Sequence, residues 1–284
     1  MKTTSTPAII AIVFILLSLA SCKKEGASTA VTEEQEATFE LSTDQAIADN
    51  LTEDANGIFM EAAAKKNLLG SSSGSQAVST TNILSSAIIT VNTTAGFPKN
   101  ITIDFGNGCT SPNGIVHKGK IHVTLSDSVR KTGSTALITF TNYYINNYKK
   151  EGSITWRNTS TASTKGWQRK VTGGKITAPD GRFWLHSGIR DVVQISGALT
   201  PGSLLDDIFL ITGNHTITNA AGKTRNCYIT EALQKQTVCD NIGTGKLKVE
   251  GASHAAIINF GDGACDKLAT ISIDGGDLRT IQLR

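Results

Sequence analysis

The 284-residue chain is poor in the residues and strings that announce a chemistry. It has five prolines, five cysteines, two methionines, and only 6% aromatic residues. Its one GxSxG string, at 70–74, lies in a Ser-rich run rather than between a strand and a helix, and no cysteine sits in a protease signature, so sequence offers no nucleophile. Five histidines (His117, His122, His186, His215, His254) fall into neither an HExxH pair nor a Cys/His zinc spacing. They are expected in surface or turn positions, with no metal and no cofactor. The formal net charge is +3 and no long Lys/Arg run occurs, so the electrostatic footprint of a nucleic-acid binder is missing. Beyond the amino terminus, no apolar run approaches the roughly 20 residues that a membrane-spanning helix needs.

What is present begins at the amino terminus. Lys2 and Pro7 precede an apolar run, Ala8 to Leu17, which fits the h-region of a secretory signal. The run ends in Leu19-Ala20-Ser21-Cys22, which resembles the bacterial lipobox. The resemblance implies that residues 1–21 are removed and that Cys22 carries the lipid. Lys23 in the next position resembles outer-membrane lipoproteins more than those held back at the inner membrane by an aspartate. The expected address is therefore the outer membrane, with the body facing either the periplasm or the outside.

Residues 22–41 are small, polar and acidic and read as a flexible tether. Ile47, Leu51, Ala55, Ile58, Phe59 and Ala62 then follow helical spacing, with Ser42 or Thr43 as N-cap, predicting a helix over 42–69. Residues 70–82 read as a Ser-rich loop. From residue 83 to 284 the period becomes two. Ile121, Val123 and Leu125 alternate with polar neighbours, as do Ile138, Phe140 and Tyr144, Ile154 and Trp156, and Leu247 and Val249. Turn signals separate these runs at Asn146-Asn147, Pro179-Asp180-Gly181, Asn219 to Gly222, and Gly275-Gly276. The expected fold is mainly β, an antiparallel meander forming a sandwich or a partly closed barrel, preceded by one short α-helix.

A weak repeat links residues 101–109 (ITIDFGNGC) with 256–265 (AIINFGDGAC). The lipobox, the Ala-rich helical segment, both of these strings, and FTNYYINNYKKEGS at 140–153 together resemble a group of uncharacterised lipoproteins of the Bacteroidetes. That resemblance implies an envelope location and no activity. Asp104/Asn107 and Asn259/Asp262/Asp266 in the two repeats could be calcium ligands, but Asp, Asn and Gly are the ordinary residues of tight turns.

With Cys22 used by lipid, Cys109, Cys227, Cys239 and Cys265 allow three pairings in an oxidising compartment. Strand 244–250 turning through 251–253 into strand 255–261 sets Cys239 opposite Cys265, so these two are expected to bridge. Cys109 and Cys227 remain as the second pair. Residues 143–184 hold Tyr143, Tyr144, Tyr148, Trp156, Trp167, Phe183 and Trp184. Tyr144 and Trp156 fall on the apolar face of neighbouring strands, where core packing accounts for them. Trp167, Trp156, Trp184 and Tyr148 are the candidate ligand contacts, with Trp167 the best placed to be exposed. The adjacent Asp206 and Asp207 read as solvation at the start of a strand.

These readings favour a non-enzymatic envelope module, structural or interacting with another envelope protein. The alternative is a module binding a glycan or small ligand through the aromatic sheet face. A hydrolase comes third, with no residues to nominate. Exposed tryptophans would favour the second reading and buried ones the first.

Overall fold

The computed structural model describes residues 1–2, 25–70, 78–92 and 95–283. Cys22 and most of the Ser-rich loop lie outside the described residues. The chain forms one helix, α1 (Glu25–Lys65), followed by strands. The first are β1 (Ile88–Val91), β2 (Lys99–Asp104), β3 (Cys109–Thr110), β4 (Val116–Leu125), β5 (Thr135–Ile145), β6 (Tyr148–Asn158) and β7 (Lys165–Thr177). Then come β8 (Phe183–Ser196), β9 (Ile208–Asn219), β10 (Thr224–Gln236), β11 (Thr244–Glu250), β12 (Ala255–Asp262), β13 (Leu268–Ile273) and β14 (Arg279–Gln282).

The expected antiparallel meander is there, as one 14-stranded sheet. Each strand pairs with its successor in the chain, except that β3 is a short flap on β4 and lets β2 and β4 pair directly. The sheet does not close, and β1 and β14 are its two edges. The turns do what their residues dictate. Asn146 and Asn147 both take left-handed φ (46° and 68°) and join Ile145 to Tyr148 in a two-residue hairpin whose twist matches the strands.

A β-bulge in β5 changes which side chains face inward. The registers of β4 with β5 and of β5 with β6 shift around Thr139–Tyr143, where Asn142 takes φ 46°. A bulge inserts a residue and so reverses the alternation beyond it. Tyr143 and Ile145 are therefore buried, while Tyr144, expected on the core face, is only half-buried. Gly119 sits opposite this bulge with φ 79°, and a Cβ there would fall 2.0 Å from the Asn142 carbonyl oxygen.

Helix α1 differs from expectation at its start. It begins at Glu25, inside the segment read as a tether, and Ala37, Thr38 and Leu41 are buried. Ser42 and Thr43 are not caps. Their hydroxyls donate back to the carbonyls of Thr38 (2.6 Å) and Phe39 (3.1 Å), which satisfies them within a helix. The helix ends at Lys65, four residues before the expected end at 69, and Asn67 and Gly70 follow in left-handed conformation (φ 55° and 89°).

From Leu41 to Ala64, α1 is enclosed on nearly every side. Leu41, Leu51, Ile58 and Phe59 are fully buried, and so are the alanines at 46, 48, 55, 62 and 63, whose small side chains admit the sheet. Side chains of α1 bond to β4, β6, β7, β8, β9 and β10, so the sheet curves around the helix. Asn113, just before β4, donates to Asp240 in the β10–β11 loop and ties distant parts of the sheet together.

The bridge between Cys239 and Cys265 is present, tying the open end of the β11–β12 hairpin. The expected Cys109–Cys227 pair is not. Both thiols are free and buried. The two cysteines lie on β3 and β10, with strands β4 to β9 between them in the sheet.

Candidate functional site

The interface between α1 and the sheet is polar as well as apolar. Asp44, Asp49, Glu53 and Glu61 of the helix are buried, and so are Lys150, Arg169, Arg190 and Arg225 of the sheet. Burying a charge is tolerated when it is paired and hydrogen-bonded. Glu53 pairs with Arg169, Asp49 with Arg190 at 3.1 Å, and Glu34 with Arg225. Asp44 pairs with Arg182 at 2.6 Å, yet burial still pushes its carboxyl up to about 6. Glu61 accepts the backbone N–H groups of Ile83 (3.1 Å) and Leu84 (3.0 Å), fixing the chain after the loop.

Three histidines are not on the surface as expected. His117, His186 and His215 face the helix and are buried. His117 Nε2 lies 2.9 Å from the Asp54 carboxylate, and His215 Nδ1 3.4 Å from the Gln45 amide. Burial, reinforced by nearby cationic groups, holds His186 and His215 well below the usual imidazole range, so both are neutral near pH 7. Lys150 has its ammonium on Thr52 Oγ1 at 3.0 Å, and burial pulls it down to about 7.

At the carboxyl-terminal half of α1 the enclosure opens into a cleft of two chambers. The larger, about 560 Å³, lies between helix residues Asn56 to Glu61 and the loops around Thr80, Pro112, Leu204 and Val238. The smaller, about 290 Å³, is walled by Trp156, Trp167, Val129 and Pro201. Met60, Asp207 and Phe209 line both. Apolar surface interrupted by a few convergent polar groups is the usual make-up of a small-ligand site. The Trp167 and Phe209 rings meet edge to face at 4.8 Å, and Trp156 lies tilted against Trp167 at 6.0 Å.

Asp207 corrects another expectation. Its neighbour Asp206 is exposed and bonded to Thr200, as strand-start solvation requires. Asp207 itself is buried, with Oδ1 accepting from the Gln194 amide at 2.8 Å. Burial pushes its carboxyl up to about 7, helped by Asp206, while Arg130 and the Gln194 hydrogen bond pull the other way. A Cβ on Gly197 would lie 2.0 Å from Asp207 Oδ1, so only glycine lets the carboxylate rest against the chain there.

The aromatic candidates are brought together in part, and inside the molecule. Trp156, Trp167 and Trp184 are 1%, 6% and 0% exposed, so they form no open stacking platform. Trp167, expected to be the most exposed, faces inward from β7, and the neighbouring Arg169 is turned in to Glu53. Tyr148 and Trp184 meet edge to face away from the cleft, where Arg182 covers the Trp184 ring. Met60, Phe209 and Asp207 carried no sequence signal of a site.

The two repeated strings are equivalent corners. Asp104 Oδ1 accepts from Gly106 N–H at 2.8 Å, and Asn259 Oδ1 from Gly261 N–H at 3.0 Å. Asp262 and Asp266 accept from Ala264 and Leu268 in the same manner. These oxygens are engaged as turn acceptors.

Fold and cleft together define a class, an unclosed antiparallel sheet filled by its own amino-terminal helix, with a two-chambered cleft at one end of that helix. Comparison with family models, with curated proteins and with solved structures finds no match for this chain.

Proposed function

We propose that this chain is a non-enzymatic, lipid-anchored envelope protein whose body binds a small ligand in the two-chambered cleft. The observation that carries this reading is the cleft itself, with aromatic walls and a buried carboxylate where the chambers meet. Other acidic groups lining it are committed to Arg169, His117 and backbone N–H groups, which supports binding rather than turnover. The proposed anchor at Cys22 and the cleft then lie at opposite ends of α1. Helix α1 starts three residues later and runs 41 residues, about 60 Å at 1.5 Å per residue, to the cleft end. The burial of all three tryptophans weighs against an exposed glycan platform and moves the binding surface inside.

The neutral dye Nile red tests the cleft. Saturable one-to-one binding is expected, weakened about tenfold or more by Ala198→Trp, which sets a large ring at the exposed lip of the smaller chamber. Weak, non-saturating fluorescence that ignores the substitution overturns the site. The anchor is tested separately. Cys22→Ala is expected to move the protein from the membrane to the soluble fraction, and retention in the membrane refutes lipid attachment there.

A further inference from the structure

We infer that the cleft is selective for an organic cation, an ammonium group on an apolar body, and that Asp207 is its counter-ion. This rests on the cleft being a binding site and adds the chemical class of its ligand. Asp207 lies at the junction of the two chambers, over nine-tenths buried, with Gln194 as its side-chain donor. Among the described residues no cationic group forms an ion pair with it, unlike Asp49, Glu53 and Asp54 on the helix.

The charged groups nearest Asp207 do not supply the missing partner. Asp206 has the same sign. Arg130 acts on Asp207 from a distance and gives its Nη2 to the Pro201 carbonyl at 3.0 Å. On β10, Lys235 turns its ammonium to the carbonyls of Gln236 and Cys239. Lys165 is exposed at the outer end of the smaller chamber. Glu53, Asp54, Glu61 and Asp240, which line the larger chamber, are bonded to Arg169, His117, backbone N–H groups and Asn113.

A buried carboxylate without a cation is costly and favours a ligand that brings one. The surroundings suit the rest of such a ligand. Phe209 and Trp167 offer aromatic surface, which attracts a cation as well as apolar groups, and Met60 adds a flexible apolar wall. Gly197 and Gln194 hold the carboxylate in place before any ligand arrives.

Three probes of matched shape test this by calorimetry on the mature body, namely phenethylammonium, phenethyl alcohol and 3-phenylpropionate. The ammonium is expected to bind about tenfold or more tightly than either of the others at pH 8, the ratio one partly buried charge pair supplies. That preference should shrink at pH 6, where Asp207 becomes protonated while the ammonium stays charged. Asp207→Asn should abolish it. The inference is overturned if the alcohol binds as well as the ammonium, or if the carboxylate binds better. An unchanged preference in Asp207→Asn overturns it equally. The probe series on the native protein decides even where the variant fails to fold. Failure of the three probes with Nile red still bound rejects the cation alone, and failure of all four ligands rejects the site as well.

Discussion

Single side chains in this protein carry charge where hydrophobic pattern reading expects little. Lys150 is fully buried, and its folded-state value of about 7 lies below the ordinary lysine value. Folding therefore favours the neutral amine. The penalty is full below pH 7 and fades as pH rises towards the unfolded value near 10.5. Lys150→Met should raise the melting temperature at pH 6, and the gain should diminish by pH 10. Thr52 is not orphaned by that change, because its hydroxyl still has the Ala48 carbonyl at 2.8 Å. Asp207 runs in the opposite sense. Its raised value means folding favours the protonated form, and stability falls as pH climbs from about 4 through 7. Asp207→Asn should therefore be more stable than the native chain at pH 8 and differ little at pH 4, as thermal melts at the two pH values can show. Neither burial was legible in the sequence. The groups that enclose Lys150 lie on a helix about a hundred positions away, and Asp206 and Asp207 look alike until the β8–β9 connection folds over one of them.

At the scale of elements, the strands were legible and their phase was not. Period-two alternation located the strands, and Asn146-Asn147 located a hairpin, because both signals are local. The bulge at Asn142 is set jointly by β4, β5 and β6, so no single segment announces that Tyr143 replaces Tyr144 inside. Helix α1 shows the same limit. Its polar residues looked like a tether because an isolated helix of that composition has no face to bury. Within the sheet, Arg225, Arg182, Arg190 and Arg169 meet Glu34, Asp44, Asp49 and Glu53 in order along it. Removing Asp49 leaves Arg190 buried and uncompensated. Asp49→Ala should cost about 3–5 kcal/mol in chemical denaturation, the usual penalty for a broken buried pair. An exposed pair such as Lys246–Glu231 should cost well under that, about 1 kcal/mol or less.

For the whole molecule, a single sheet with consecutive neighbours is tied together by the helix, the Asn113–Asp240 link, the Ser79–Ser203 bridge and one disulfide. Replacing Cys239 and Cys265 by serine should lower stability by about 3 kcal/mol in denaturant titrations, the effect of closing a loop of this size. The cleft is a product of this scale too. Helix, β7, β9 and the loops near residues 80, 130, 200 and 238 each supply a fragment, and no stretch of sequence holds enough of it to be recognised. The placement of α1 also has a bearing on biogenesis. The acidic helix is synthesised first, whereas Arg225 and the strands that cover it are synthesised last. Until the later strands are made, the growing chain therefore carries its future core as an uncovered, negatively charged segment. Any C-terminal truncation that stops before β10 would leave Glu34 and Glu36 without Arg225 and Arg279.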